Sequence, residues 1–151
     1  MKESDLAMLD ERELSAVYRE PRPILVPRGI YRGVHLKWIA QRQRSVRWLQ
    51  PVLMVGFAWM PFGIDFDRRL WFFGHRAAAL GRFRMEEGES RWRTGRTLRL
   101  HYDVSRLPRT VTRWLYDEVK PLDEGLCLGI GGINGPRGMG ERFFFALVRE
   151  G

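Results

Sequence analysis

The chain has 151 residues and a mass of 17.8 kDa, and 44% of its residues are hydrophobic, which is enough for one packed core. It carries 26 basic and 18 acidic residues, a net charge of +8, and its 13% aromatic content excludes a disordered chain. Its single cysteine, Cys127, excludes an intramolecular disulfide bond and a zinc site built only from cysteines.

These numbers predict one basic domain over residues 1–151. Met1 is followed by Lys, Glu, Ser and Asp rather than by the apolar run of a secretion signal. We therefore expect a cytoplasmic protein.

Residues 1–28 are predicted to form an N-terminal helix and a linker. Between Ser4 and Glu20 the apolar residues recur at roughly helical spacing, and Ser4 is a suitable N-cap. Pro21 and Pro23 end this pattern and predict an extended connector.

Gly29–Trp38 alternates between two faces, which predicts the first β-strand. The first face carries Ile30, Arg32, Val34, Leu36 and Trp38. The opposite face carries Tyr31, Gly33, His35 and Lys37.

Residues 39–62 predict a helical insertion, or lid, after this strand. A basic run over 41–47 is followed by an apolar run over 51–62. The apolar run is shorter than the roughly 20 residues of a membrane-spanning helix, and prolines interrupt it. We favour a lid or a homodimer-forming element, and the alternative is a contact of residues 42–62 with a membrane surface.

From Gly63 onward, short strand-like runs alternate with turn signals, and no segment is left for crossover helices. This pattern predicts a mainly β fold, an antiparallel closed or nearly closed barrel of about eight strands. The runs are 64–66, 70–73, 78–87, 90–92, 97–104, 112–120, 125–133 and 142–149.

Two of these runs indicate how their faces are used. Leu98, Leu100, Tyr102 and Val104 share one face, which we expect to point into the barrel. Both faces of the last run are apolar, which predicts a strand covered on both sides, by the N-terminal helix or by a partner.

Several short motifs follow one another from residue 29 to the end: Gly-Ile-Tyr-Arg-Gly at 29–33, Trp-Leu-Tyr-Asp-Glu-Val-Lys at 114–120, the turn at 121–129 and Arg-Phe-Phe-Phe-Ala-Leu at 142–147. In this order they resemble short bacterial lipocalin-like (calycin-type) β-barrel proteins of unassigned function. The resemblance implies a barrel whose interior holds an apolar small molecule.

Asp117 and Glu118 are neighbours on a predicted strand, so their side chains point to opposite faces. A carboxyl in an apolar interior has a raised pKa and can act as a general acid or base, or bind a polar group of a ligand. Tyr102 and Tyr116 are its candidate hydroxyl partners. The alternative for either carboxylate is an ion pair with an arginine near the barrel mouth.

The predicted function is binding of an apolar or amphipathic small molecule inside the barrel. Its lining is predicted to include the two tyrosines, Arg84 as a polar anchor, and Trp38, Trp59, Trp71, Phe83 and Phe145. The alternative is a barrel enzyme that isomerises or cyclises a largely apolar substrate, with Asp117, Glu118, Tyr116 and Tyr102 as candidate catalytic residues.

We expect no metal and no cofactor. His35, His75 and His101 lack the spacing of a zinc motif, and haem ligation by His75 is the less favoured alternative. Cys127 is predicted to be a small buried residue rather than a nucleophile.

Arginines interleave with aromatic residues over 82–99, a pattern that can bind single-stranded nucleic acid. Glu86, Glu87 and Glu89 lie among them, so an exposed face of cross-strand ion pairs is favoured and a nucleic-acid partner is not expected.

Overall fold

The computed structural model describes residues 1–39, 62–74 and 79–151. These ranges contain three helices, α1 (Glu3–Met8), α2 (Glu11–Arg19) and α3 (Arg109–Thr112). They also contain nine strands: β1 (Ile30–Trp38), β2 (Phe62–Asp65), β3 (Leu70–Phe73), β4 (Ala79–Arg82), β5 (Arg84–Glu89), β6 (Arg96–His101), β7 (Leu115–Asp123), β8 (Leu126–Ile133) and β9 (Glu141–Arg149).

The N-terminal segment forms two helices rather than the one that was predicted. Asp10 ends the first apolar repeat and caps α2, because its Oδ1 accepts a 2.8 Å hydrogen bond from the backbone N–H of Glu13. Glu13 reciprocates, since its Oε2 accepts from the backbone N–H of Asp10 at 2.8 Å. Ser4 lies inside α1 and is not an N-cap, so that prediction was wrong.

The strands form one antiparallel sheet that is nearly closed into a barrel. Each strand pairs with the next along the chain, except β4 and β5, and β1 pairs with β9. Only Phe83 separates β4 from β5, and its backbone N–H donates to the carbonyl of Arg69 at 3.0 Å. The two segments are halves of one interrupted strand, which confirms the predicted antiparallel barrel of about eight strands.

The end of the barrel where β1 ends and β2 begins is called the upper end here. The β7–β8 turn lies at the opposite, lower end. The connector, residues 20–29, leads from α2 to the lower end, where β1 begins.

Apolar side chains from strands around the barrel point into its interior. Leu98, Leu100 and Tyr102 point inward, as predicted. Val104 does not, because β6 ends at His101 and the chain turns after Tyr102, which leaves Val104 47% exposed; that part of the prediction was wrong. Two glycines make room for the rings: a Cβ atom at Gly33 would lie 2.0 Å from the ring of Phe62, and one at Gly129 would lie 2.2 Å from the ring of Phe145. The buried interior residues are Tyr31, Phe62, Ile64, Phe66, Phe83, Leu98, Leu100, Tyr102, Val119, Cys127, Phe145 and Leu147.

The outer face of β7, β8 and β9 is covered as well, which confirms the prediction made from the two apolar faces of the last strand. Leu14 and Tyr18 of α2 pack with Phe144 and Ala146 of β9. The run 90–92, predicted as a strand, belongs to a loop, residues 90–95, that folds back over this face. Trp92 is fully buried there, with its ring centroid 5.0 Å from that of Tyr116.

The predicted ion-pair face is present on β5 and β6. Glu86 pairs with Arg99 and with Arg84, the latter at 3.2 Å, and Glu87 pairs with Arg96 at 2.9 Å. Acidic residues thus neutralise part of the basic strand surface.

The predicted helical insertion, Trp59 and His75 fall outside the described residues, apart from Ile39 and Phe62 at the ends of the insertion. Among residues 1–39, 62–74 and 79–151, the structure contains no helix that could span a lipid bilayer.

Candidate functional site: a carboxyl–phenol pair inside the barrel

The alternation of β7 places Asp117 inside the barrel and Glu118 outside it. Asp117 shares a face with Val119, which belongs to the interior cluster. Glu118 shares a face with Tyr116, which packs beneath α2 and the loop 90–95. The sequence left open which of the two carboxyl groups faces the interior, and the structure shows that it is Asp117.

Asp117 forms a buried pair with Tyr102. Leu100 of β6 lies opposite Asp117 in the ladder, and Tyr102 is two residues further along on the same face. The Tyr102 hydroxyl donates a hydrogen bond to Asp117 Oδ2, and the backbone N–H of Gly132 donates to Oδ1 at 3.3 Å.

Burial controls the protonation of this pair. It raises the pKa of the Asp117 carboxyl to about 6, although the hydrogen bonds from Tyr102 and Gly132 favour the ionised form. Burial, and then the charge of Asp117, raise the pKa of the Tyr102 phenol well above its usual value. The phenol is thus a permanent hydrogen-bond donor, while the carboxyl changes its protonation near neutral pH.

An aromatic cluster adjoins the pair toward the upper end. The ring of His35 lies 4.8 Å from that of Trp38 and 5.6 Å from that of Phe143, measured between centroids. A Cβ atom at Gly131 would lie 2.5 Å from the Phe143 ring and 3.1 Å from Asp117 Oδ1, so the ring and the carboxyl meet over this glycine. Burial lowers the pKa of His35, which favours its neutral form.

Trp38 reaches the interior because β1 is irregular. The ladder pairs His35 with Phe145 and Trp38 with Phe143, with a register shift between His35 and Lys37. This β-bulge puts Trp38 on the same face as His35, whereas strict alternation predicted opposite faces.

The structure brings some of the other predicted ligand-binding residues into the interior. Phe83 and Phe145 are buried there, and Trp71 packs against the same interior cluster. Arg84 lies on the outer face, where it contacts Glu86 and Asp103, because Phe83 and Met85 take the inward positions. The prediction of Arg84 as an interior anchor was therefore wrong.

Glu118 and Tyr116 also do not belong to the interior. Glu118 accepts hydrogen bonds from the Tyr116 hydroxyl at 2.9 Å, the Arg91 backbone N–H at 2.6 Å, the Ser90 hydroxyl at 2.5 Å and the Tyr18 hydroxyl at 3.3 Å. These bonds tie α2 and the loop 90–95 to β7. The structure thus separates Glu118 and Tyr116 from Asp117 and Tyr102, and places them in a contact between outer segments.

Sequence reasoning missed two members of the site. The backbone N–H of Gly132 leaves no side-chain signal in a sequence. His35 does have a sequence signal. It lies two and four residues after Gly33 and Tyr31 on β1, so it shares their face, and Tyr31 points into the interior.

The residue types that bind metals do not gather in the parts of the chain that the structure describes: no group of three or more His, Cys, Asp or Glu side chains is placed to hold an ion. Cys127 is buried, and burial raises the pKa of its thiol to about 12, so the protonated form predominates at neutral pH.

Comparison with known proteins adds a fold neighbour. No family model and no curated protein matches the sequence. The structure is similar to the crystal structure of a protein from Thermomonospora curvata, with a TM-score of 0.55 and 17% sequence identity. The match covers 95% of this chain and 89% of that chain. At this identity the similarity supports the barrel fold alone.

Proposed function

We propose that the barrel interior binds a small, largely apolar molecule that carries one hydrogen-bonding group, and that Asp117 and Tyr102 contact this group. The observation that carries the proposal is the carboxyl–phenol pair in an aromatic interior. The resemblance to lipocalin-like proteins, which implies an apolar ligand, agrees with it.

A contribution to folding stability does not explain why the Asp117 carboxyl group is buried. Among the described residues, no cationic side chain pairs with it, and its only hydrogen-bond donors are Tyr102 and Gly132. A buried carboxylate without a cation destabilises the folded protein at neutral pH. Groups whose pKa is shifted in this way are concentrated at functional sites.

The neighbouring side chains suit an apolar ligand. Phe143 and Trp38 provide ring surface beside the pair, with their centroids 5.5 Å apart. The indole N–H of Trp38 is buried without a hydrogen-bond partner among the described residues. A ligand oxygen that accepts from this N–H would satisfy a donor that is otherwise costly to bury.

Matched probes test the proposal by isothermal titration calorimetry. 1-Naphthol and naphthalene share a ring system and differ in one hydroxyl group, and the terpenoid β-ionone carries a carbonyl. We expect saturable binding of 1-naphthol and β-ionone, with naphthalene weaker. Tyr102→Phe keeps the ring, removes the donor, and is expected to lower the affinity for 1-naphthol about tenfold, the equivalent of one lost hydrogen bond.

Asp103→Asn is the matched control for Asp117→Asn, because it removes the same charge from the exposed position next to Tyr102. It should leave the affinities unchanged, whereas Asp117→Asn should alter them. No saturable binding of any probe would refute the proposal, and so would equal effects of the two aspartate substitutions.

A second candidate function is acid–base catalysis, which the Asp117 pKa of about 6 favours. The Asp117 carboxylate would take a proton from a carbon next to a carbonyl group and return it to another carbon of the same substrate. This reaction is an isomerisation and needs no other reactant.

Deuterium exchange tests this step without knowledge of the natural substrate. In D₂O, bound β-ionone is expected to exchange hydrogens next to its carbonyl group, at a rate that rises with pH through about 6. Asp117→Asn should lose this exchange and Asp103→Asn should keep it. If the wild-type protein exchanges these hydrogens no faster than buffer alone, it does not abstract a proton from this ketone.

A further inference from the structure

A concave site lies at the lower end of the barrel, away from Asp117. It is a pocket of about 520 Å³ between the connector and the β7–β8 turn. Tyr31 and Cys127, two buried interior residues, form part of its wall, and Leu122, Leu25 and Val26 add aliphatic surface. Its volume is in the range of small-molecule sites, roughly 300–1,000 Å³.

The connector that covers this pocket is held at its two ends. At the first end, Lys120 Nζ donates to the carbonyl of Glu20 at 2.6 Å, and Arg22 Nη1 donates to that of Leu122 at 2.9 Å. At the second end, Gly29 donates to Asp67 Oδ2 at 3.0 Å and accepts from the backbone N–H of Phe66 at 3.0 Å.

Between these anchors the connector has little to hold it in place. Residues 23–28 make no hydrogen bond to any described residue. Leu25 is 74% exposed and Val26 is 53% exposed, although both line the pocket. These two adjacent aliphatic side chains lie beside a cavity, and covering them with an apolar group lowers the free energy because it removes their surface from water.

Arginines border the same pocket. The side chain of Arg149 runs from the turn to the connector, since a Cβ atom at Gly125 would lie 3.3 Å from its Cβ and one at Gly29 would lie 3.7 Å from its Nε. Arg28 is exposed next to Gly29 and has no ion-pair partner in the described part of the chain. Both arginines line the pocket.

The other charged groups of the lining are already paired or solvated. Arg22 pairs with Glu20 at 2.5 Å, and Asp123 lies 3.7 Å from the amino group of Met1. Glu124 lies 3.9 Å from Arg149 but is 92% exposed, and such a contact competes weakly with a second anion.

We propose that this pocket binds an amphipathic anion, a molecule with an aliphatic chain and a carboxylate or similar head group. The chain packs against Leu25, Val26 and Tyr31, and the head group binds Arg28 and Arg149. This site differs from the interior site in position and in ligand charge.

Calorimetry with dodecanoate, kept below its micellar concentration, tests the site. We expect saturable binding, with uncharged dodecanol weaker and dodecyltrimethylammonium weaker still. Arg28→Gln/Arg149→Gln is expected to weaken dodecanoate binding about tenfold or more and to leave dodecanol unchanged, because charge-assisted hydrogen bonds are lost. Leu25→Asp is expected to weaken both ligands, and its exposed position favours normal folding.

Arg106→Gln/Arg113→Gln is the matched control, since it removes two exposed arginines that do not line the pocket. Equal weakening by the two double variants would reduce the effect to net charge and overturn the proposal. So would equal affinities for dodecanoate and dodecanol, or binding to phosphatidylglycerol vesicles without binding of free dodecanoate. Tyr102→Phe separates the two sites, because it should change binding of 1-naphthol and not of dodecanoate.

Discussion

The hydroxyl group of Tyr102 donates a hydrogen bond to the carboxyl group of Asp117 inside the barrel, and both side chains are buried. The two residues come from successive segments of the chain, β7 and the residue that follows β6, and they meet because the ladder pairs Leu100 with Asp117. The pair puts a titratable group into a ring-lined interior.

Asp117 is expected to make stability depend on pH. Its pKa is raised to about 6 in the folded protein and is near 4 in an unfolded chain, so the folded state holds the proton more tightly. Its contribution to stability is present below about pH 4 and is lost as the pH rises to about 6, by an amount on the order of 3 kcal/mol.

Asp117→Asn should therefore gain stability relative to the wild type as the pH rises from about 4 to about 7. Urea unfolding at several pH values measures this difference. Asp103→Asn, exposed and outside the barrel, should show no such trend. A stability difference that stays constant over this range would contradict the raised pKa.

Glu118→Gln is expected to destabilise the fold by about 2–4 kcal/mol, because the new amide group would face donors that now share a carboxylate. Chemical unfolding measures the loss. Glu87→Gln is the matched control, since its exposed ion pair with Arg96 contributes less than about 1 kcal/mol. Equal small effects of both substitutions would show that the buried network adds little.

Gly129→Ala is expected to cost about 1–3 kcal/mol, because its new Cβ would lie 2.2 Å from the buried ring of Phe145. Gly81→Ala is the control with the same chemical change, and its Cβ would lie 3.5 Å from that of Trp71, an ordinary contact. Adding Phe145→Leu should rescue part of the Gly129→Ala loss in a double-mutant cycle. Fully additive losses would argue against ring packing on the glycine.

Asp10→Ala should reduce the free energy of unfolding by about 1 kcal/mol, because α2 loses its N-cap. Ser4→Ala tests the alternative that the sequence suggested, a cap at the start of α1. It should have almost no effect, since Ser4 lies inside that helix. A larger loss of stability in Ser4→Ala than in Asp10→Ala would instead support a single helix capped by Ser4.

Strand periodicity made much of the barrel predictable. The inward set of Leu98, Leu100 and Tyr102 follows from a period of two residues, and so does the opposite orientation of Asp117 and Glu118. The doubly apolar β9 likewise indicated a covered outer face. These properties are local, because a strand's side chains alternate whatever its neighbours are.

Positions that depend on neighbouring segments were not predictable in the same way. The β-bulge that moves Trp38 to the interior face occurs in the pairing of β1 with β9. No residue of β1 indicates it in the sequence. Residues 90–92 were predicted as a strand but belong to the loop 90–95. The loop is held by partners distant in the sequence, since Glu118 accepts from the Arg91 backbone N–H and the Gly135 carbonyl accepts from the Trp92 indole N–H.

The sequence by itself determined the barrel class, the alternation of the regular strands and the pairing of an acidic with a phenolic candidate. Only the tertiary structure decided that Asp117 and Tyr102 share the interior, that Glu118 and Tyr116 hold outer segments together, and that the connector and the β7–β8 turn enclose a pocket. The physical reason is that alternation defines two faces without saying which is inside. That choice depends on burial against segments distant in the sequence.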